Sequence, residues 1–410
     1  EKLDSVTYAG RHGVRAFKND RAMQVKRSLP SFPLAMWSLD GWDVELFYKS
    51  TRGGKTTYGH RVTMVVVLDP YFMYPTGYAI GEEGEAENSG LITRAIQNAL
   101  RHTEELFGAM YQVNQIQSDN FAKKKMMSVY EIAGSHVTPA EVGNAKSKPV
   151  ERYFKRLNQR YCQLCRNWSG WGVTSKKTLQ PNGEALNRYK ASEPDYTGVC
   201  QQIENIINAE RAEKQLLYVG GFDKIPADRV LQISRQQYLM SFGSTTGNRN
   251  LLRGEGLTVA IDGRKHVYDC FDLNFRKYAS TRWEIRYDVE DLHTVVATNE
   301  DETLQFILEE KHVQPMALVE RTDEDNIQLQ RIRDFNALQE ETITKQICAA
   351  QETTLSLMES KKELEKHQMF LLTDSQGQHK NNRNHFRKAI EGETISEVIK
   401  NSDFDIENEY

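Results

Sequence analysis

The chain has 410 residues, 39% of them hydrophobic and 27% charged, within the range of a soluble globular protein of two or three domains. Its longest apolar run, "VTMVVVL" at 62–68, falls well short of the roughly 20 residues that span a bilayer and reads as a buried strand. The net charge of −4 argues by itself against a nucleic-acid partner, but it averages a basic middle and an acidic tail: residues 146–177 hold nine Lys/Arg against Glu151 alone, and residues 391–410 hold seven acids against Lys400.

Five cysteines, an odd number without framework spacing, point to a reducing cytoplasm. No secretory signal opens the chain, which starts at Glu1 rather than Met and so reads as a piece of a longer protein. The CxxC in "YCQLC" (161–165) lacks the second CxxC or His pair that a zinc site requires, so Cys162 and Cys165 read as ordinary helix residues.

In chain order, residues 1–34 read as a basic linker arm. Residues 35–48 ("AMWSLDGWDVELFY"), 60–69 and 71–81 read as three strands, antiparallel neighbours because their links are short, with Pro75 marking an edge or bulge. Residues 89–108 carry Leu91, Ile92, Ala95, Ile96, Ala99 and Leu100 at helical spacing, and Gly108 is a natural stop. Residues 110–120 read as a short strand ending near Asp119, 121–134 as a short helix, and 136–143 as a strand or loop.

After "KSKP", Pro149 suits the first helical position, where its missing N–H is not needed. Val150, Phe154, Leu157, Tyr161, Leu164 and Trp168 then form one apolar stripe over five turns, with Glu151 in the first turn and Arg152, Lys155, Arg156 and Arg160 on the flanks. Residues 169–196 read as a long loop and 197–217 as a helix. Residues 230–320 are strand-like, with an Asp-Gly hairpin in "LTVAIDGRKHVYD" at 257–269, and suggest a separate all-β domain. Residues 324–368 are helical with a broken heptad at Ile343, Ile347, Ala350, Leu357 and Leu364, and 372–410 are polar and expected to be poorly ordered.

Three acids stand out by context. Asp40 lies in a strand between Trp37, Leu39 and Trp42, where a carboxylate is costly unless paired or metal-bound. Asp119 ends the fourth strand, where a sheet can present a side chain into a cleft, and Glu151 opens a helix able to pack against that sheet. Asp43 and Glu45 compete with Asp40 for the first role; a strand-edge turn with Gly41 at Asp40, a turn or cap residue at Asp119 and a dipole-compensating acid at Glu151 are the plainer alternatives. Three such carboxylates can hold two hard divalent cations, and two metals flanking a phosphorus can activate an attacking oxygen and stabilise a leaving one. The basic segment, with Lys146, Lys148, Arg152, Lys155, Arg156 and Arg160, would hold the polyanion.

"WSLDGWDVELF", "QSDN" and "GNAKSKPVERYF" resemble the three acidic motifs of the DDE transposases with a ribonuclease H-like core, and most closely those of the phage Mu type. Asp40-Gly41-Trp42, Asp119-Asn120 and Lys148-Pro149-Val150-Glu151-Arg152 match residue by residue, the last most specifically, and the first favours Asp40 over Asp43. "WEIRYDVEDLHTVVAT" is similar to the opening of the β-barrel that follows the core in that group. The resemblance, which covers roughly residues 30–320, implies an α/β ribonuclease H-like core with a mixed five-stranded sheet, then a small β-barrel and a helical C-terminal segment. The expected boundaries are an arm at 1–34, a catalytic core at 35–225, a barrel at 226–321, a helical segment at 322–370 and a tail at 371–410.

The same resemblance implies a Mg²⁺-dependent enzyme, with two ions (replaceable by Mn²⁺) on Asp40, Asp119 and Glu151. It would nick transposon ends and join the freed 3′-hydroxyl to target DNA, as a homo-multimer synapsing two DNA ends in a bacterial cytoplasm. An accessory ATPase is a further implied partner of the helical segment. A related nuclease without joining activity and a non-enzymatic DNA-binding or assembly protein are the competing expectations.

Overall fold

The computed structural model describes residues 4–23, 27–118, 123–139, 148–170 and 181–360. The expected arm opens with two short helices, α1 (Ser5–His12) and α2 (Val14–Asp20). Asp4 caps the first by accepting from the Thr7 N–H, and Gly13, at φ 87°, separates them. The departure from a plain linker is thus local capping chemistry, since α1 buries no side chain.

Strand β1 (Trp37–Val44) leads into a hairpin, β2 (Tyr48–Arg52) and β3 (Lys55–Gly59), which turns at Gly53-Gly54, both with positive φ. Next come β4 (Val62–Asp69), β5 (Tyr74–Ile80), α3 (Ser89–Phe107), β6 (Tyr111–Ser118), α4 (Lys123–Ala133) and β7 (Gly134–Pro139). The sheet runs β5-β4-β1-β6-β7, antiparallel across the first three strands and parallel from β1 through β6 to β7. Pro75 sits on edge strand β5, and the β4–β5 register slips beside it, so the proline occupies both a sheet edge and an irregularity.

Helix α5 (Pro149–Arg160) is followed by α6 (Gly183–Tyr189) and α7 (Tyr196–Val219). The sheet is covered on both faces. Trp37, Leu39, Val65 and Val67 face α3 and α4, whereas Val44, Met64, Val66 and Leu68 face Val150, Tyr153, Phe154 and Leu157 of α5 and Val199, Ile203 and Ile207 of α7. This is why the run at 62–68 is apolar without alternation. Each such side chain, when fully buried, stabilises the fold by about 1.5–3 kcal/mol.

Asp69, wholly buried at the end of β4, ties these layers together. Its carboxylate accepts from the Leu34 N–H (2.7 Å), the Tyr71 N–H (2.9 Å) and the Tyr218 hydroxyl (2.9 Å). Burial pushes its pKa up to about 7 against those three donors.

Beyond α7, β8 (Leu231–Gln232) pairs with β6, and α8 (Arg235–Phe242) starts with a Ser234/Gln237 capping box. Strands β9 (Ser244–Arg253), β10 (Gly256–Ile261), β11 (Arg264–Asp269), β12 (Arg282–Tyr287), β13 (Thr294–Thr298) and β14 (Gln305–Glu310) close into a barrel in the order β10-β11-β14-β13-β12-β9. The Asp262-Gly263 turn of the expected hairpin has positive φ at both residues. Tyr268, Trp283, Ile285, Val295 and Leu308 are fully or almost fully buried, as a small filled barrel requires.

Most of the barrel belongs to one compact unit with the sheet. The reason is a shared interior. Val296 of β13 joins the core of α3, α4 and α8, and Arg101 of α3 reaches Asp288 at 3.2 Å and the Tyr238 hydroxyl at 2.9 Å.

A second unit comprises residues 253–256, 269–280 and the chain from Lys311. It contains α9 (Leu273–Arg276) and the 38-residue α10 (Asp323–Ser360). Phe271 packs edge-on against Phe335 and under Arg331. Of the expected heptad, Ile343 and Ile347 are exposed, and Leu364 and the polar tail lie outside the described residues.

No described helix is long and apolar enough to cross a membrane.

Candidate active site

Strand alternation decides where Asp40 goes. Leu39 enters the core under α3, so Asp40 turns to the other face, toward α5. Two residues on, Trp42 stacks on Phe154 of α5, with ring centroids 5.3 Å apart. That contact lays the helix start beside Asp40. Lys148, the N-cap residue of α5, donates to Asp40 Oδ2 at 3.2 Å, and its side chain is only 7% exposed. Glu151 follows in the first turn of α5, partly buried, so the first and third of the sequence motifs meet in space.

The second motif is represented up to its serine. Strands β1 and β6 run parallel, with Trp37 opposite Ile116 and Ser38 opposite Gln117, so the end of β6 lies alongside the first half of β1, next to Asp40. Asp40 and Ser118 line one small cleft there, together with Leu39, Val65, Glu87, Ile92 and Tyr130. Asp119, Asn120 and Lys146 lie outside the described residues. Among the described residues, no three His, Cys, Asp or Glu side chains converge as a metal site would require.

Glu87, one of the glutamates clustered at 82–87, carries no motif that marks it in the sequence. A Cβ built on Gly41 would lie 2.2 Å from Glu87 Oε2, so this carboxylate rests directly on the glycine of Asp40-Gly41-Trp42. A glycine inside a buried strand is the signal that pointed to such an approach.

Asp43 and Glu45 are engaged elsewhere. Asp43 is half exposed and accepts from Arg61 (3.4 Å) and Thr63 (3.2 Å). Glu45 accepts from Asn158 Nδ2 at 2.5 Å, and burial raises its pKa. Neither lines the cleft.

Helix α5 buries Val150, Tyr153, Phe154, Leu157 and Asn158 and exposes Arg152, Lys155, Arg156 and Arg160. The four basic residues do not share one environment. Arg160 pairs with Glu210 (3.1 Å) and Glu213 (2.8 Å) of α7, and Arg156 lies 3.9 Å from Glu210. Glu210 is wholly buried and is also held by the Tyr161 hydroxyl (3.0 Å) and by Lys214. This cluster fixes α5 to α7, and it lay beyond pattern reading because its members are 50 residues apart.

The expected five-turn stripe stops short. Helix α5 ends at Arg160, and Leu164 is 81% exposed. The chain turns so that Trp168 can bridge to Leu46, which places Cys162 in a short 3-10 turn rather than on a helix, with Cys165 just beyond it. Burial raises the pKa of both thiols, away from reactive thiolate, and all five cysteines are free.

No known family model matches the chain, and no curated protein matches it in sequence.

Proposed function

We propose that the protein is a DDE-type transposase with a ribonuclease H-like core, which nicks a transposon end and joins the freed 3′-hydroxyl to a target phosphodiester. The observation that carries the reading is the ion pair between Lys148 and Asp40, because it joins two motifs 108 residues apart in the sequence. A mixed sheet with helices on both faces, a following barrel and a C-terminal helix accord with it.

The donor set fits hard cations: Asp40 offers carboxylate oxygen at an open cleft, Glu151 lies one turn from Lys148, and neither cysteine nor histidine lines that cleft. Asp40, Asp119 and Glu151 would hold Mg²⁺, or Mn²⁺ in its place, and the ions would supply Lewis-acid stabilisation of the attacking and leaving oxygens. The α5 N-terminus adds its positive dipole end beside this chemistry. Arg152 and Lys155, exposed one and four residues beyond Glu151, would guide the DNA backbone. Binding of two DNA ends by a homo-multimer, and of an accessory ATPase by the helical segment, belongs to the same proposal.

The test uses a labelled donor DNA, a circular target and Mg²⁺, with Asp119→Asn as the matched control. The proposal expects nicked and joined products that vanish in Asp119→Asn while DNA binding survives. Nicking without joining identifies a nuclease, and metal-independent binding without cleavage identifies a non-enzymatic DNA-binding protein; either result overturns the transposase reading.

A further inference from the structure

Lys148 is the wrong residue for its local position. N-caps favour Ser, Thr, Asp or Asn, whose oxygens accept from the first-turn N–H groups. Lysine has no acceptor, and its charge faces the positive end of the helix dipole. Pro149 holds Lys148 in an extended conformation (φ −98°, ψ 111°), and its side chain makes no capping hydrogen bond. That side chain is nevertheless buried, to 7% exposure, with its ammonium 3.2 Å from Asp40 Oδ2. Burying a lysine costs free energy that a close anion offsets, and Asp40, itself 18% exposed, is such an anion. A local rule is therefore broken exactly where a cation is set against the carboxylate of the cleft.

We propose that Lys148 is the resident counter-ion of this site: its ammonium neutralises Asp40 until a divalent cation takes its place. The inference rests on the metal-binding reading of Asp40 given above. An ammonium on one oxygen of the carboxylate repels a divalent cation arriving beside it, so metal binding favours displacement of the ammonium. The four-carbon stem of lysine allows that movement without unwinding α5. The device keeps a buried carboxylate neutralised in the absence of metal and makes the site's metal affinity lower than its oxygen ligands alone would set.

The test is Mn²⁺ binding without DNA, followed by the electron-paramagnetic-resonance signal of free Mn²⁺, for the full chain and for Lys148→Met and Lys148→Arg. A neighbouring opposite charge changes the proton affinity of a carboxylate by roughly one to three powers of ten, and the same lever acts on a metal. Lys148→Met is expected to bind Mn²⁺ at least about tenfold more tightly than wild type, and Lys148→Arg, which keeps the charge, to stay within about threefold of it. Unchanged or weaker binding by Lys148→Met, or equal tightening by Lys148→Arg, overturns the inference. If Lys148→Met does not fold by circular dichroism, Lys148→Gln, polar and closer to the lysine in shape, is read by the same criteria. Saturable binding by wild type that ignores Lys148 sinks this inference alone; no saturable binding by any of the proteins sinks the metal reading with it.

Discussion

Replacing Glu210 by Gln removes one charge from the junction that holds α5 against α7. Glu210 is wholly buried, and the Lys214 side chain beside it is 8% exposed, so the substitution leaves an ammonium in the interior without its anion. Breaking a buried pair in this way costs about 3–5 kcal/mol. Arg156 and Arg160 add less, because both are more than 40% exposed and water screens them. Burial already holds Lys214 below the usual lysine range while Glu210 opposes that shift. Losing Glu210 therefore eases deprotonation of Lys214, and the penalty should shrink as pH rises. Urea unfolding of wild type, Glu210→Gln and the double variant Glu210→Met/Lys214→Met measures the effect. The double variant is expected to recover most of the loss, since apolar residues of similar size replace buried pairs at little cost. A Glu210→Gln protein within about 1 kcal/mol of wild type would refute the reasoning.

Three further predictions follow from individual contacts. Asp69 has its pKa raised to about 7, so its contribution to stability is present in full below pH 3.8 and is lost as pH rises through about 7. Unfolding free energies at pH 5 and 8 should differ by roughly 3 kcal/mol more in wild type than in Asp69→Asn; identical pH profiles would count against it. Gly41→Ala places a methyl group onto Glu87 Oε2, a mobile carboxylate end, so melting temperature should hold while Glu87 leaves the cleft and nicking slows. Unchanged nicking would exclude Glu87 from the site. Arg152→Ala should reduce the salt dependence of DNA binding by about one counterion, whereas Arg160→Ala should leave that slope alone and lower thermal stability, because Arg160 is committed to Glu210 and Glu213.

The elements that periodicity controls were legible from the residues: α3 with its Gly108 stop, the run at β4, and the Asp-Gly hairpin of β10 and β11. Their patterns are set by burial on a fixed face. The helix start at Pro149 was equally plain, but its end was not: the sequence stripe continues through Leu164, while the bridge from Trp168 to Leu46 turns the chain away. Tertiary competition of that kind leaves no local mark. Asp40 stands out in the sequence by its costly setting, but only the family resemblance favours it over Asp43; Lys148, expected among the phosphate contacts, points inward to Asp40. Glu87 escaped because its role depends on an approach between a loop and a strand, and only the bare Gly41 hints at it.

The central claim is that Asp40, Asp119 and Glu151 hold a cation together, and Fe²⁺ with ascorbate tests it on the protein itself. Iron bound in place of Mg²⁺ releases radicals that cut nearby backbone. Cuts at positions 40, 119 and 151 that excess Mg²⁺ suppresses are the expected result; cuts confined to one of these segments, or scattered and insensitive to Mg²⁺, would contradict the account.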